Sequence, residues 1–198
     1  MNLIRLRTPF LLALGAAAAT AASAPAQTDR SSEPLALIHA NVLDVRAGRV
    51  ALDQTVVLRG GKIESVSAAA PAASVRVIDL AGRTLLPGLV DAHTHIANFA
   101  AAKRALESGV TTARSSGVSQ FVDVSLRELA KSGAIAGPDV LAAGYHVRER
   151  LAEEAFYSDP SLSDLMGGVK TIPDIRRVVR MNLAHGVDWI KINATERA

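Results

Sequence analysis

The pattern of hydrophobic and polar positions changes near Pro87 and divides the chain into two parts. Before this point, short apolar stretches alternate with turn residues, as is typical of β-strands joined by tight connections. Gly60 and Gly61 separate two such stretches and indicate a two-residue hairpin. We therefore expect a small antiparallel β unit over residues 35–86. Its predicted strands are residues 35–42, 55–59, 62–66 and 75–80.

After Pro87, strand-like and helix-like patterns alternate. Such an alternation favours a parallel sheet, either an open α/β sheet or a (β/α)8 barrel. Residues 87–198 are too few for a complete barrel, which uses about 250 residues. We therefore expect an α/β fold containing the first four β/α units of a TIM barrel, on a truncated piece of a longer chain. The predicted strands are 89–94, 109–113, 139–143 and 188–193, the helices are 97–108, 121–132 and 173–185, and an irregular excursion occupies 145–171. We expect Thr171 or Asp174 to cap the last helix and Gly186 to end it.

The N-terminus has the three regions of a secretory signal peptide over residues 1–26. Two arginines precede an apolar, alanine-rich run, and small residues follow, so we expect cleavage after Ala24 or Ala26. A membrane anchor is the less favoured alternative, because the apolar run is shorter than the ~20 residues of a spanning helix. Residues 27–34 are polar and predict a flexible lead-in. In a bacterium the mature chain is then periplasmic or secreted, with no membrane attachment.

Composition narrows the class of partner. The chain has no cysteine, which excludes disulfides and a lipoprotein anchor. Its 22 basic and 19 acidic residues give +3, and two of the basic residues lie in the predicted signal peptide. A nearly neutral mature chain with 4% aromatic residues offers neither a basic stripe nor a base-stacking surface. We therefore expect a small-molecule substrate and no nucleic acid, and no pattern predicts the oligomeric state.

The strand predicted at residues 89–94 leads into two histidines, His93 and His95. Alternation along a strand places them on one face, together with Asp91. Neutral imidazoles bind Zn²⁺, and barrel enzymes hold their active sites at the carboxyl ends of the strands. Two ordinary polar residues are the simpler alternative. A cupin-type metal site is disfavoured, because the next acidic residue, Glu107, lies beyond a helical segment.

A second candidate is Lys191, in the strand predicted at residues 188–193. Alternation places Trp189, Lys191 and Asn193 on one face, which is the barrel interior if the intervening isoleucines contact the helices. Burial favours the neutral amine of a lysine. Such an amine can react with CO2 to give a carbamate, an anionic oxygen ligand able to bridge two metals. A lysine that reaches solvent from a strand end is the alternative.

The stretches 82–95, 109–112 and 188–195 together resemble the amidohydrolase superfamily, in its imidazolonepropionase- and prolidase-like branch. The resemblance extends over residues 35–198 and implies that residues 35–86 are part of a small β-sandwich. It also implies one or two divalent ions, zinc foremost. His93 and His95 would bind the more buried metal, and carboxylated Lys191 would bridge to a second. It further implies two histidines from strands five and six and a catalytic aspartate from strand eight. Those positions lie beyond Ala198.

The implied activity is hydrolysis of C–N bonds in amides, cyclic amides or dipeptides by a metal-activated hydroxide. The isolated 198-residue chain would lack ligands and be inactive, and a periplasmic small-molecule-binding module is a further alternative. The stretch 113–116 reads Ala-Arg-Ser-Ser where the family commonly continues Val-Arg-Asp, which affects substrate contacts rather than the metal site.

The remaining histidines have simpler interpretations. His146 follows the third predicted strand and lies either at the pocket mouth or in an exposed loop. His185 ends a predicted helix, where a cationic imidazole suits the helix dipole, so we expect a structural role. We interpret His39 as a packing or surface residue.

Overall fold

The computed structural model describes residues 33–194. The chain forms two compact units, one up to Thr84 and the other from Leu85 onward. The predicted signal peptide, and residues 27–32 of the predicted lead-in, lie outside the described residues. Over residues 33–194, no helix combines the length and the apolar character needed to cross a membrane.

The first unit is built on one five-stranded sheet. Its order is β3-β2-β1-β4, and the short β5 also pairs with β1. Gly60 and Gly61 both adopt positive φ (55° and 73°), as the predicted two-residue hairpin between β2 and β3 requires. The strands are β1 (Leu35–Asp44), β2 (Arg49–Arg59), β3 (Lys62–Ser67), β4 (Arg76–Asp79) and β5 (Thr84–Leu85).

The prediction of a purely antiparallel unit is wrong for β4. This strand pairs in parallel with β1, from Leu35 opposite Arg76 to Ile38 opposite Asp79. Residues 68–75 carry the chain back to the free edge of β1, so that β4 runs in the same direction as β1. Residues 33–84 form a single sheet, without the second sheet that a sandwich requires.

The second unit begins with three parallel strands in the order of the sequence. Helices cover one side of this sheet, because small and branched apolar side chains from strands and helices form a shared core around Ala113, Leu126 and Val140. A second core, around Tyr145, Leu162 and Val178, joins the last helix to the excursion. The strands are β6 (Leu89–Thr94), β7 (Val110–Ser115) and β8 (Asp139–Leu141), and the helices are α1 (Phe99–Glu107), α2 (Val122–Lys131), α3 (Glu154–Ser158) and α4 (Ile172–Ala184).

The predicted fourth strand, residues 188–193, lies beside the continuation of the third but does not form a regular ladder. Ile192 makes one parallel bridge with Val147. At the start of the segment, the N–H groups of Asp188 and Trp189 both donate to the carbonyl of Ala142, at 2.8 and 3.3 Å. Two donors on one acceptor break the one-to-one pairing of a parallel ladder. The expected position is therefore found, without the expected regular strand.

The excursion predicted as irregular contains α3 and a 3-10 segment over Pro160–Gly167. The Asp159 side chain accepts a hydrogen bond from the Ser161 N–H and caps this segment. The Val169 N–H donates to the Glu149 carbonyl at 2.7 Å and brings the two ends of the excursion together. The excursion is therefore an ordered loop with short helical turns of its own.

Helix α4 begins with the capping predicted from the sequence. The Thr171 hydroxyl accepts from the Asp174 N–H, and the Asp174 carboxylate accepts from the Thr171 N–H. This reciprocal pair is a capping box, which satisfies donors at the start of the helix. Gly186 follows the helix with φ of 74°, as the predicted stop requires.

Candidate metal and substrate site

The two histidines at the end of β6 lie side by side. The ring centroids of His93 and His95 are 5.6 Å apart, and both residues are exposed. Two imidazoles on one tetrahedral zinc ion, with metal–nitrogen distances of about 2.0–2.1 Å, have centroids roughly 5 Å apart. The spacing therefore fits a shared ion.

The Asp91 side chain makes a hydrogen bond to the backbone of its own strand. Its Oδ1 accepts a hydrogen bond from the His93 N–H at 3.0 Å. The register of β6 against β7 also shifts between Asp91 and Thr94. This irregularity interrupts the strict alternation from which a common face was predicted.

The ring of His95 is oriented by the backbone beyond β7. Its Nδ1 lies 2.7 Å from the Gly117 carbonyl oxygen. A carbonyl can only accept, so Nδ1 carries the proton, and in the neutral ring Nε2 keeps a free lone pair. A backbone hydrogen bond of this kind is the usual support of a metal-binding imidazole.

His146 lies beside His95 and is half-buried. Of the two positions that the sequence allowed, the pocket mouth and an exposed loop, the structure shows the first. The two ring centroids are 5.9 Å apart, and the His146 Nε2–H donates to the Ser116 carbonyl. Burial lowers the pKa of His146; the Ser116 hydrogen bond opposes this, and the charges of Arg148, His95 and Lys191 lower the pKa further. The ring is therefore neutral near pH 7.

Gly117 makes the close approach of these rings possible. Its φ is 107°, and a Cβ at this position would lie 2.3 Å from the His146 ring. Its carbonyl accepts from His95 on the other side. Any larger residue would both strain the backbone and displace an imidazole.

Two buried polar residues that the sequence did not identify hold the backbone before His146. The Asp123 Oδ2 accepts from the N–H groups of Ala143 and Gly144, at 2.9 and 3.1 Å. Asn182 accepts from the Tyr145 N–H at 2.9 Å and donates to its carbonyl at 3.0 Å. Both side chains are fully buried. The available signal was a polar residue among apolar ones on the inner face of a helix.

Lys191 is half-buried, and its backbone carbonyl accepts from the Val147 N–H at 2.8 Å. Over residues 33–194, no group of three or more His, Cys, Asp and Glu side chains is placed to hold a metal ion. The role of Lys191 as a metal ligand therefore stays a prediction. Next to Lys191, the Arg114 guanidinium lies 4.7 Å from the centre of the Trp189 ring.

A cleft of about 1040 Å³ opens beside His95 and His146. This volume lies at the upper end of ligand sites, which are about 300–1,000 Å³. The cleft is formed by the two ends of the excursion, the start of α4 and the segment around Ile192. Its apolar lining comprises Val147, Leu151, Val169, Ile175 and Ile192.

His185 has the structural position expected from the sequence. It follows the last turn of α4, its Nδ1–H donates to the Met181 carbonyl at 2.9 Å, and its ring stacks on Phe121 at 3.8 Å. His39 lies in the first unit, where it pairs with Asp53 at 2.8 Å on the surface.

Comparison with known proteins shows which family these features resemble. The model of the amidohydrolase family matches residues 76–152, which include the His93–His95 pair and His146. The resemblance to the amidohydrolases is confirmed. An imidazolonepropionase of Klebsiella pneumoniae (strain 342) is 49% identical over 41 residues, which are 21% of this chain and 10% of that protein.

Solved structures of amidohydrolases extend the similarity to most of the chain. One, from Bifidobacterium longum and assigned as a prolidase, is 31% identical with a TM-score of 0.67, over 83% of this chain and 42% of that one. A Xaa-Pro dipeptidase with bound methionine in its active site is 23% identical with a TM-score of 0.66, over 82% and 47%. The chain thus has the mixed α/β fold of these proteins and spans less than half of their length.

Proposed function

We propose that the protein is a metal-dependent hydrolase of C–N bonds in amides, cyclic amides or dipeptides. The observation that carries the proposal is the His93–His95 pair, with the Nδ1–H of His95 held by the Gly117 carbonyl. The family match and the prolidase-like neighbour support the reaction class. In this proposal, residues 87–194 are the first four β/α units of a (β/α)8 barrel.

The proposed roles combine the geometry of the histidine pair with the resemblance to the amidohydrolases. His93 and His95 would hold a divalent ion, zinc foremost, and Lys191 as a carbamate would supply an oxygen ligand to a second. When bound, such an ion would supply a water molecule of lowered pKa and polarisation of the scissile carbonyl. His146, neutral and beside His95, lines the cleft where the substrate lies. Further ligands and the catalytic aspartate are needed in addition to residues 33–194. The predicted signal peptide directs the protein to the periplasm or to secretion.

The metal site is tested by substitution of one imidazole. In the full chain, His95→Ala should weaken zinc binding at least tenfold, because one of two convergent imidazole ligands is lost. Binding is measured by competition with a chromogenic chelator. His39→Ala removes an exposed histidine from the first unit and should leave the affinity unchanged. Equal affinities of the His95→Ala variant and the unaltered chain would show that the ion is not bound here.

A second candidate is that the 198-residue chain binds metal without turnover. It is favoured by the small number of potential ligands gathered within residues 33–194. Metal stoichiometry and amide hydrolysis, measured on the same sample, distinguish the candidates. Two tightly bound ions together with hydrolysis would reject this second candidate.

A further inference from the structure

Three basic side chains line the cleft beside His95: Arg148, Arg150 and Lys170. The only carboxylate that lines it is Glu149. Within residues 33–194, none of the ion pairs uses any of these four side chains. The cleft wall therefore carries three basic side chains against one carboxylate, and none of the four is held in an ion pair.

The backbone that carries these charges is held in place. Val147, directly before Arg148, pairs with the segment around Ile192. The Glu149 carbonyl accepts from the Val169 N–H at 2.7 Å. The Lys170 N–H donates to the Asp174 carboxylate at 3.2 Å. Groups that start from an ordered backbone lose less entropy when they bind a ligand.

The charge pattern and the apolar lining together define a ligand. Guanidinium groups bind carboxylates through paired, charge-assisted hydrogen bonds. Val147, Val169 and Ile192 offer apolar contacts in the same cleft. We propose that Arg148, Arg150 and Lys170 form a subsite for the carboxylate of an amide substrate that carries an apolar side chain. This inference rests on the proposed function, because it assigns a substrate class to the same site.

The test compares two probes, N-acetyl-L-leucine and N-acetyl-L-leucinamide, in which the carboxylate of the first is replaced by a neutral amide. Calorimetric titration of the full chain should show at least tenfold tighter binding of the acid, and added salt should reduce this preference. The triple variant Arg148→Gln, Arg150→Gln, Lys170→Gln should bind both probes equally. Arg176→Gln removes an exposed charge of α4 that does not line the cleft, and should keep the preference.

The comparison of the two probes on the unaltered chain does not depend on the folding of any variant. Equal binding of the probes, or no binding of either, overturns the subsite. A preference that persists in the triple variant also overturns it. Hydrolysis is measured separately. Hydrolysis without a preference for the acid retains the proposed function and rejects the subsite, whereas selective binding without hydrolysis retains the subsite and counts against the proposed function.

Discussion

At the scale of single residues, Gly117 has the most demanding environment at the site. Its carbonyl oxygen accepts a hydrogen bond from His95, and its Cα faces the His146 ring. The φ of Gly117 is 107°. The two histidines therefore depend on a residue that binds nothing itself. The sequence gives no hint of this dependence, because a glycine after a strand has many uses.

Gly117→Ala should lower the free energy of unfolding by about 1–3 kcal/mol, since an L-residue is strained at this φ. It should also move the His146 ring, because the new Cβ would lie 2.3 Å from it. Urea unfolding measures the first effect, and histidine resonances in NMR spectra measure the second. Gly109→Ala is the matched control, since φ is 94° there and no atom lies within 4 Å of an added Cβ. If both variants leave the His146 resonances unchanged, the close approach at Gly117 is incorrect.

At the scale of elements, one ion pair joins α2 to the segment that carries Lys191. The Arg127 Nη1 donates to the Asp188 Oδ2 at 2.6 Å, and the Ala142 N–H donates to the same oxygen at 2.8 Å. Burial opposes ionisation of Asp188, but these two donors outweigh it and hold the pKa of its carboxyl below the ordinary value. The Asp188 carboxylate therefore links α2, the residue that follows β8 and the segment 188–193.

Asp188→Asn should destabilise the protein by about 1–3 kcal/mol at pH 7, because a charge-assisted hydrogen bond is lost. A carboxyl whose pKa is lowered by folding stabilises the folded protein at any pH above its pKa in the unfolded chain, about 3.9. This stabilisation is lost as the pH falls through the pKa of the carboxyl in the folded protein. The difference between the unaltered chain and the variant should be constant from pH 7 to about pH 5 and should shrink below about pH 4. Chemical unfolding across this range measures it. Asp139→Asn, at an exposed carboxylate of β8, serves as the control. A difference that does not change with pH would contradict the assignment.

Much of the element order follows from sequence pattern, and the exceptions have physical causes. The strand that carries His93 is a local feature and forms as predicted. The cap of α4 is also local, and Thr171 and Asp174 both take part in it where either one was expected. The parallel pairing of β4 with β1 depends on a connection that crosses back over the sheet, which hydrophobic alternation does not encode. The irregular fourth segment reflects two donors that share the Ala142 carbonyl.

The candidate site was only partly predictable for the same reason. His93 and His95 form a short motif at a strand end, and such a motif is readable from spacing alone. The nearness of His146 to His95 depends on Asp123 and Asn182, which hold the intervening backbone from two separate helices. Spacing along the chain carries no record of contacts between helices so far apart in sequence. The assignment of His93, His95 and carboxylated Lys191 as metal ligands stays a prediction.

At the scale of the whole molecule, the second unit covers one side of its parallel sheet with helices and leaves apolar residues exposed elsewhere. Ala113 of β7 is fully buried in the core with α1 and α2, whereas Val90 of β6 is 69% exposed. Leu141 and Ile192 are also exposed. Apolar side chains of this size on a sheet are normally buried against a second layer.

The difference in exposure between Val90 and Ala113 can be measured with single introduced cysteines. The chain has no cysteine of its own, so only the introduced thiol reacts. In the 198-residue chain, Val90→Cys should react with a thiol reagent at a rate close to that of a free thiol. Ala113→Cys should react at least tenfold more slowly, because its reaction requires local opening. The rate is followed by mass spectrometry. Slow labelling of Val90→Cys would show that this position is covered, by a second copy or by residues outside the described range.

The order of the parallel strands has a consequence for biosynthesis. In the second unit, each strand pairs with the one made just before it: β7 with β6, β8 with β7, and the segment around Ile192 with the continuation of β8. Among residues 85–194, no pairing waits for a distant part of the chain, so these strands can add one at a time as the chain leaves the ribosome. In the first unit, by contrast, the edge of β1 at Leu35 stays open until Arg76 has been made. Of the pairings within residues 33–194, those of the first unit are thus exposed to mispairing for longer during synthesis.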